Sequence, residues 1–158
     1  MENLGETIPT AFTRRAEVAD AVTVARFVHA LVGELSGGKD LGMEAATRNA
    51  ETVLADANVV AVMACAGDEP VGVIILNECS AIYAGGRFGL ITELYVRPDM
   101  RSRGIAPRLI AAALQQGRER GWTRLEVGAP AQPKWERTLA FYLGNGFEEV
   151  GPRLRRML

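Results

Sequence analysis

The chain has 158 residues, 48% of them hydrophobic, and a formal net charge of -1. That size suits one compact domain with a core of its own, and the balanced charge excludes wholesale binding to nucleic acid or to an anionic membrane surface. No apolar run is long enough to span a bilayer, and Met1 to Thr10 lacks the charged start and hydrophobic core of a secretion signal, so a cytoplasmic location is expected.

Ala11 to Arg15 reads as a short extended segment. Glu17 to Leu35 then carries helical spacing at Val18, Val22, Ala25, Val28 or His29 and Val32, and Ser36-Gly37-Gly38 stops it. A second helix is expected from Met43 to about Asp56, with Ala46, Ala50, Val53 and Leu54 on one side. Val59 to Ala66 and Val71 to Leu76 read as buried strands joined by Gly67-Asp68-Glu69-Pro70, short enough for a hairpin, so the first strands should be antiparallel. Cys65 and Cys79 sit in or beside these apolar runs, which suits free thiols in a reducing compartment better than a disulfide.

Cys79 to Arg87, with Ser80, Tyr83, Gly85 and Gly86, reads as an exposed loop, and Phe88 to Val96 as a buried strand. Strict alternation in that strand would point Ile91, Glu93 and Tyr95 one way and Leu90, Thr92, Leu94 and Val96 the other. A turn at Pro98-Asp99 and the run Arg101 to Ala106 lead into a helix with Ala106, Leu109, Ile110, Ala113 and Leu114 on one stripe. Pro107 falls in its first turn, where a missing N–H costs least, and Arg118, Arg120 and Gly121 close it. Thr123 to Val127 returns to the sheet, Lys134 to Leu143 reads as the last helix, and Phe147 to Val150 with Arg153 to Leu158 can supply a final strand or bent strand pair. The order of elements makes a mixed α/β sheet with helices on both faces, as one domain over 1–158.

The strand–loop–helix–strand unit from Phe88 to Val127 carries the chemistry. Between Arg97 and Arg124, the seven arginines Arg97, Arg101, Arg103, Arg108, Arg118, Arg120 and Arg124 gather against only Asp99 and Glu119. Backbone N–H groups from Arg103 to Ala106 at a helix start converge on one point, and small Gly104 and Ala106 permit close approach of a pyrophosphate. No Gly-Lys-Ser/Thr ending suggests a nucleotide P-loop, and no Gly-x-Gly-x-x-Gly a dinucleotide. A pyrophosphate-bearing ligand outside those two classes suits the loop better.

Leu94-Tyr95-Val96-Arg97-Pro98 leading into Arg101-x-x-Gly104-x-Ala106 resembles the acyl-CoA pyrophosphate motif of the GNAT superfamily of N-acetyltransferases. A second segment, Thr138 to Phe147, is similar to the family's helix ending in a Tyr followed by Gly-Phe, here Tyr142 and Gly146-Phe147. The resemblance covers about the last two-thirds of the chain. It implies a GNAT-like fold with antiparallel N-terminal strands, and acetyl-CoA as acyl donor without a metal. Its cofactor site would comprise Leu94, Tyr95, Val96, Arg101, Ser102, Arg103, Gly104, Ile105 and Ala106. Val96 would pair with the pantetheine amide as an added strand does, and a backbone N–H near Leu94 or Tyr95 would polarise the thioester oxygen. Many members carry an Asn seven residues before the Tyr; Trp135 stands there in this chain, so that contact is not carried over.

Acyl transfer from a thioester to an amine makes uneven demands. An amine of pKa ~10.4 is mostly protonated at pH 7, and exposing its lone pair costs about 4–5 kcal/mol, whereas a thiol of pKa ~8.5 leaves with a penalty of only about 2 kcal/mol. A base therefore matters more than an acid. Glu93, an acid within an apolar strand, is the candidate base, or else a carboxylate anchored to an arginine or to backbone donors. Tyr142 corresponds to the family's thiol-protonating residue, or else packs the last helix onto the sheet. The resemblance places an acceptor pocket between the first helices and the loop before the central strand, where Glu34 and Tyr83 could line it. His29, the lone histidine, lies within the first helix and reads as a packing or surface residue, and Cys65 and Cys79, with no motif or base nearby, read as small core residues. The expected function is acetylation of a primary amine, of a small molecule first and of a protein N-terminus or lysine as the alternative; a noncatalytic acyl-CoA-binding regulatory module is the other class, and a homodimer is an admissible state.

Overall fold

The structure is a computed structural model that describes residues 10–39 and 41–158. Residues 1–9, and with them most of the segment read as lacking a secretion signal, lie outside the described residues, as does Asp40. Five strands form one sheet in the order β1-β2-β3-β4-β5: β1 (Ala11–Arg15), β2 (Val59–Ala66), β3 (Glu69–Ala81), β4 (Gly86–Val96) and β5 (Leu125–Val127). All neighbours are antiparallel except β4 and β5, which run parallel because α3 (Ile105–Arg120) carries the chain across between them. Two helices, α1 (Ala21–Ser36) and α2 (Met43–Leu54), bury Val24, Ala25, Phe27, Ala46 and Ala50 on one face of the sheet. On the other face α3 buries Leu109, Ile110 and Ala113, joined by Tyr142 from α4 (Glu136–Gly144). No helix among the described residues is long and apolar enough to cross a membrane.

Several boundaries differ from those the sequence suggested. Asp20 accepts from Arg14 and from the Glu17 amide, so the segment expected to open the first helix is a separate 3₁₀ turn (Val18–Asp20). The expected loop from Cys79 to Arg87 is mostly strand: Cys79 pairs Phe88, Ser80 pairs Arg87 and Ala81 pairs Gly86, leaving a turn of 82–85. Extending the ladder satisfies backbone groups that a long loop would leave to water. The expected final strand or strand pair is absent. After Gly146 the chain carries no regular structure; Gly151 has φ of 132° and Pro152 offers no N–H, which together interrupt a ladder there.

The alternation expected along β4 also fails, for an informative reason. Ile75 pairs Glu93 while Leu76 pairs Ile91, so Thr92 is an extra residue, a β-bulge. Ile91 therefore packs with Leu109 and Ile110 on the α3 face, and Tyr95 with Phe27 on the α1 face, although both were expected to point the same way. A single inserted residue reverses the side-chain sense from there to the strand end.

Candidate active site

At the end of β4 the chain makes a short 3₁₀ turn (Pro98–Met100), then Ser102 takes φ of 61° and Gly104 φ of 77° before α3 begins. Left-handed residues alternating in a loop turn successive amides toward one side, a concavity suited to an anion. Among the described residues the amides of Ser102, Arg103, Gly104, Ile105 and Ala106 donate to no protein acceptor; the first bond of the helix is Arg108 to the Gly104 carbonyl at 3.3 Å. Pro107, lacking an N–H, ends the row of donors. A β-carbon at Gly104 would meet nothing within 4 Å, so the glycine serves the positive φ and the space beside it is open. Arg101, Ser102 and Gly104 to Pro107 border a cleft of about 420 Å³ that also takes in Val96, Met100 and Phe141.

The cleft continues along an unpaired strand edge. β5 pairs β4 only over Gly89, Leu90 and Ile91, so the edge of β4 is open from the bulge at Thr92 to Val96. The Arg97 amide donates to the Val71 carbonyl on β3 at 2.9 Å. By alternation the backbone groups of Tyr95 also face β3, and those of Leu94 and Val96 face the open edge. An extended ligand laid there would find the N–H groups of Leu94 and Val96. The Val96 carbonyl already accepts from Arg101 Nε at 2.9 Å.

Glu93 and Tyr142 flank this edge from opposite faces. Glu93 pairs Ile75, whose side chain belongs to the α1 face, whereas Tyr142 packs within the α3 face. Among the described residues no cation pairs with Glu93; burial raises its pKa, and the Thr92 hydroxyl, in contact with its carboxylate, opposes the rise. Asn77 Nδ2 lies 3.3 Å from that hydroxyl. Tyr142 is held edge-on between Phe141 and Phe147, at ring-centroid distances of 5.3 and 5.4 Å, and burial pushes its pKa up to about 12. Its hydroxyl has no hydrogen-bond partner among the described residues. One side thus offers a carboxylate ready to accept a proton, and the other a phenol that stays protonated at neutral pH.

Residues 27–147 match the model of the acetyltransferase (GNAT) family. The chain belongs to the GNAT acetyltransferase family. Solved structures agree on the fold: a possible acetyltransferase from Clostridium difficile 630 superposes with a TM-score of 0.79 at 19% identity, covering 94% of this chain and 97% of that one. A ribosomal-protein-alanine N-acetyltransferase from Brucella melitensis biovar Abortus 2308 gives 0.72 at 24% identity, covering 94% and 99%. An aminoglycoside acetyltransferase from an uncultured soil metagenomic sample gives 0.76 at 21%, covering 94% and 99%. No curated protein sequence matches the chain.

As a GNAT domain, the chain brings together most of the residues its sequence singled out, and separates others. Leu94, Val96, Ser102, Gly104, Ile105 and Ala106 lie along one continuous cleft and edge. Tyr95 does not: its ring is buried against Phe27 at 5.6 Å, on the α1 face. The Arg101 guanidinium turns to Glu34, 2.8 Å away, instead of standing free in the loop. Tyr83, on the 82–85 turn, contacts Phe88 and lies 3.3 Å from Glu126. Glu34 lies by Val96 and Tyr83 by Phe88, so roughly 25 Å of strand, at about 3.3 Å per residue, separates two side chains expected to share one acceptor pocket. Trp135 occupies the position just before α4, with no capping hydrogen bond from its side chain, and the Lys134 ammonium lies 5.6 Å from its ring centre. His29 is half-buried in α1, and Cys65 and Cys79 are free thiols. Sequence reasoning missed Thr92 and Phe141; Ile-Thr-Glu-Leu has the composition of any strand, and nothing in it marks an inserted residue.

Proposed function

We propose that this GNAT domain is an acetyl-CoA-dependent N-acetyltransferase that acetylates a primary amine of a small molecule by direct attack on the thioester. The observation that carries the reading is the continuity of five unpaired loop amides with an unpaired strand edge. That combination suits a ligand with a pyrophosphate at one end and an amide-bearing arm at the other. Arg103 adds positive charge beside the loop.

In this reading the Leu94 N–H receives the thioester oxygen as negative charge develops on it. Glu93, directly or through a water, takes a proton from the incoming ammonium on the α1 face, and its burial favours that uptake. The amine nitrogen bonds to the carbonyl carbon, the carbon–sulfur bond breaks, the nitrogen sheds its second proton to solvent as the amide forms, and Tyr142 gives its proton to the departing thiolate from the α3 face. Tyrosine regains it from solvent. With a pKa near 12 against about 8.5 for the thiol, Tyr142 is a weak acid, consistent with the smaller demand at that step.

Thiol release from acetyl-CoA, measured across a panel of small diamines, amino sugars and peptides with free N-termini, tests this. Turnover with small amines is expected. Tight acetyl-CoA binding with no release for any amine would overturn the catalytic reading in favour of a binding module, and release with peptides alone would move the acceptor to protein.

A further inference from the structure

The first arginine of the loop lines the cleft, yet its guanidinium is already engaged by protein groups. Its Nη2 lies 2.8 and 3.1 Å from the two carboxylate oxygens of Glu34, its Nε lies 2.9 Å from the Val96 carbonyl, and the guanidinium sits 5.5 Å from the centre of the Tyr95 ring. Three elements, the last turns of α1, the end of β4 and the loop itself, therefore fix one side chain. Arg101 immediately precedes the five unpaired amides, so whatever fixes it fixes where that row begins.

We propose that Glu34 is a positioning residue for acetyl-CoA, holding Arg101 across the end of β4 so that the loop amides and the Val96 N–H are ordered before the ligand arrives. The inference rests on the acyl-CoA reading of the loop. It also gives Glu34 a task other than contact with the acceptor, since both of its oxygens are engaged by Arg101. Stability alone does not account for the arrangement: the two side chains are 43% and 33% exposed, and pairs so open to solvent contribute little to folding. Preorganisation does, because a loop that must be ordered at the moment of binding subtracts that ordering from affinity. The planar fork of arginine is required, since a lysine ammonium cannot bond the carbonyl and the carboxylate from fixed directions.

Calorimetry with acetyl-CoA on the full chain tests the proposal, using Glu34→Gln, Arg101→Lys, Arg101→Gln and the double variant Glu34→Gln/Arg101→Gln, each checked by a melting curve. We expect Glu34→Gln to weaken acetyl-CoA about five-fold with a nearly unchanged melting temperature, and the Michaelis constant for acetyl-CoA to rise more than turnover falls. The double variant should bind no more weakly than Arg101→Gln alone, because Glu34 acts only through that side chain. Arg101→Lys, which keeps the charge, should lose affinity as well; full affinity there would mean that charge alone matters and would overturn the proposal. So would unchanged affinity in Glu34→Gln, or losses that add in the double variant. If the unaltered protein does not bind acetyl-CoA, the loop reading itself fails and this inference falls with it.

Discussion

The indole N–H of Trp122 donates to the Glu78 carboxylate at 2.6 Å, tying the turn after α3 to β3. The same ring lies over Gly89 of β4 and Gly117 of α3, and a β-carbon at Gly89 would overlap it. Arg120 and Arg87 lie 3.5 and 3.6 Å from Glu78. Both ends of the strand–helix–strand unit are thus anchored, at Arg101 in front and at Glu78 behind.

Glu78→Gln should lower stability by about 1.5–3 kcal/mol, the range for a hydrogen bond to a charged group. The Trp122 N–H, then Arg87 and Arg120, hold the Glu78 carboxyl below its ordinary range. A depressed carboxyl stabilises the fold fully above its unfolded pKa of about 4.3 and loses that contribution as pH falls toward its folded value. Melting curves of the variant and the unaltered protein should therefore converge in acid and stand apart at pH 7.

Gly104→Asp should nearly abolish acetyl-CoA binding. The residue would have to adopt φ of 77°, unfavourable for a side chain, and would place a negative charge among amides arranged for an anion. Gly104→Ala meets no neighbour within 4 Å, so the fold should cost only about 1 kcal/mol while binding suffers from the methyl in the open space. Calorimetry on both variants, with a melting curve for each, separates loss of fit from loss of fold.

Tyr142→Phe should keep the fold and acetyl-CoA affinity and lower turnover about ten- to a hundred-fold, since it removes only a hydroxyl that has no partner among the described residues. Because the pKa is near 12, the unaltered enzyme should keep its acid throughout the neutral range, with a decline only in strong base. Equal turnover of the two proteins across that range would leave Tyr142 a packing residue alone.

Glu93→Gln separates a base from a structural carboxylate by opposite signs. Burial raises the pKa of Glu93 in the fold, so its ionisation opposes folding: stability falls as pH rises from the unfolded value of about 4.3 through the folded one. At pH 7 the variant should melt as high as the unaltered protein or higher, whereas loss of an anchoring ion pair would lower it. Its turnover should fall most near neutral pH and recover in part as pH rises toward the pKa of the amine, where the free base no longer needs the carboxylate. A variant with unchanged turnover would remove Glu93 from the mechanism.

The sequence by itself determined the elements whose signals are local. Helical spacing marks α1 and α3 and terminal glycines mark where they end, apolar runs mark β2, β3 and β4, and Gly104 with Ala106 at a helix start marks the anion loop, because each depends on residues a few positions apart. The family followed from such short signals. What the tertiary structure decided depends on pairing between distant segments. Thr92 is a bulge only because β3 spaces its partners differently on either side, and that one residue sends Tyr95 to the α1 face and leaves Leu94 and Val96 facing the gap where β5 turns away. Arg101 reads as a phosphate-binding cation until α1 brings Glu34 to it from 67 residues away. The final strands failed to form where Gly151 and Pro152 interrupt the ladder, since apolar composition cannot replace a missing donor.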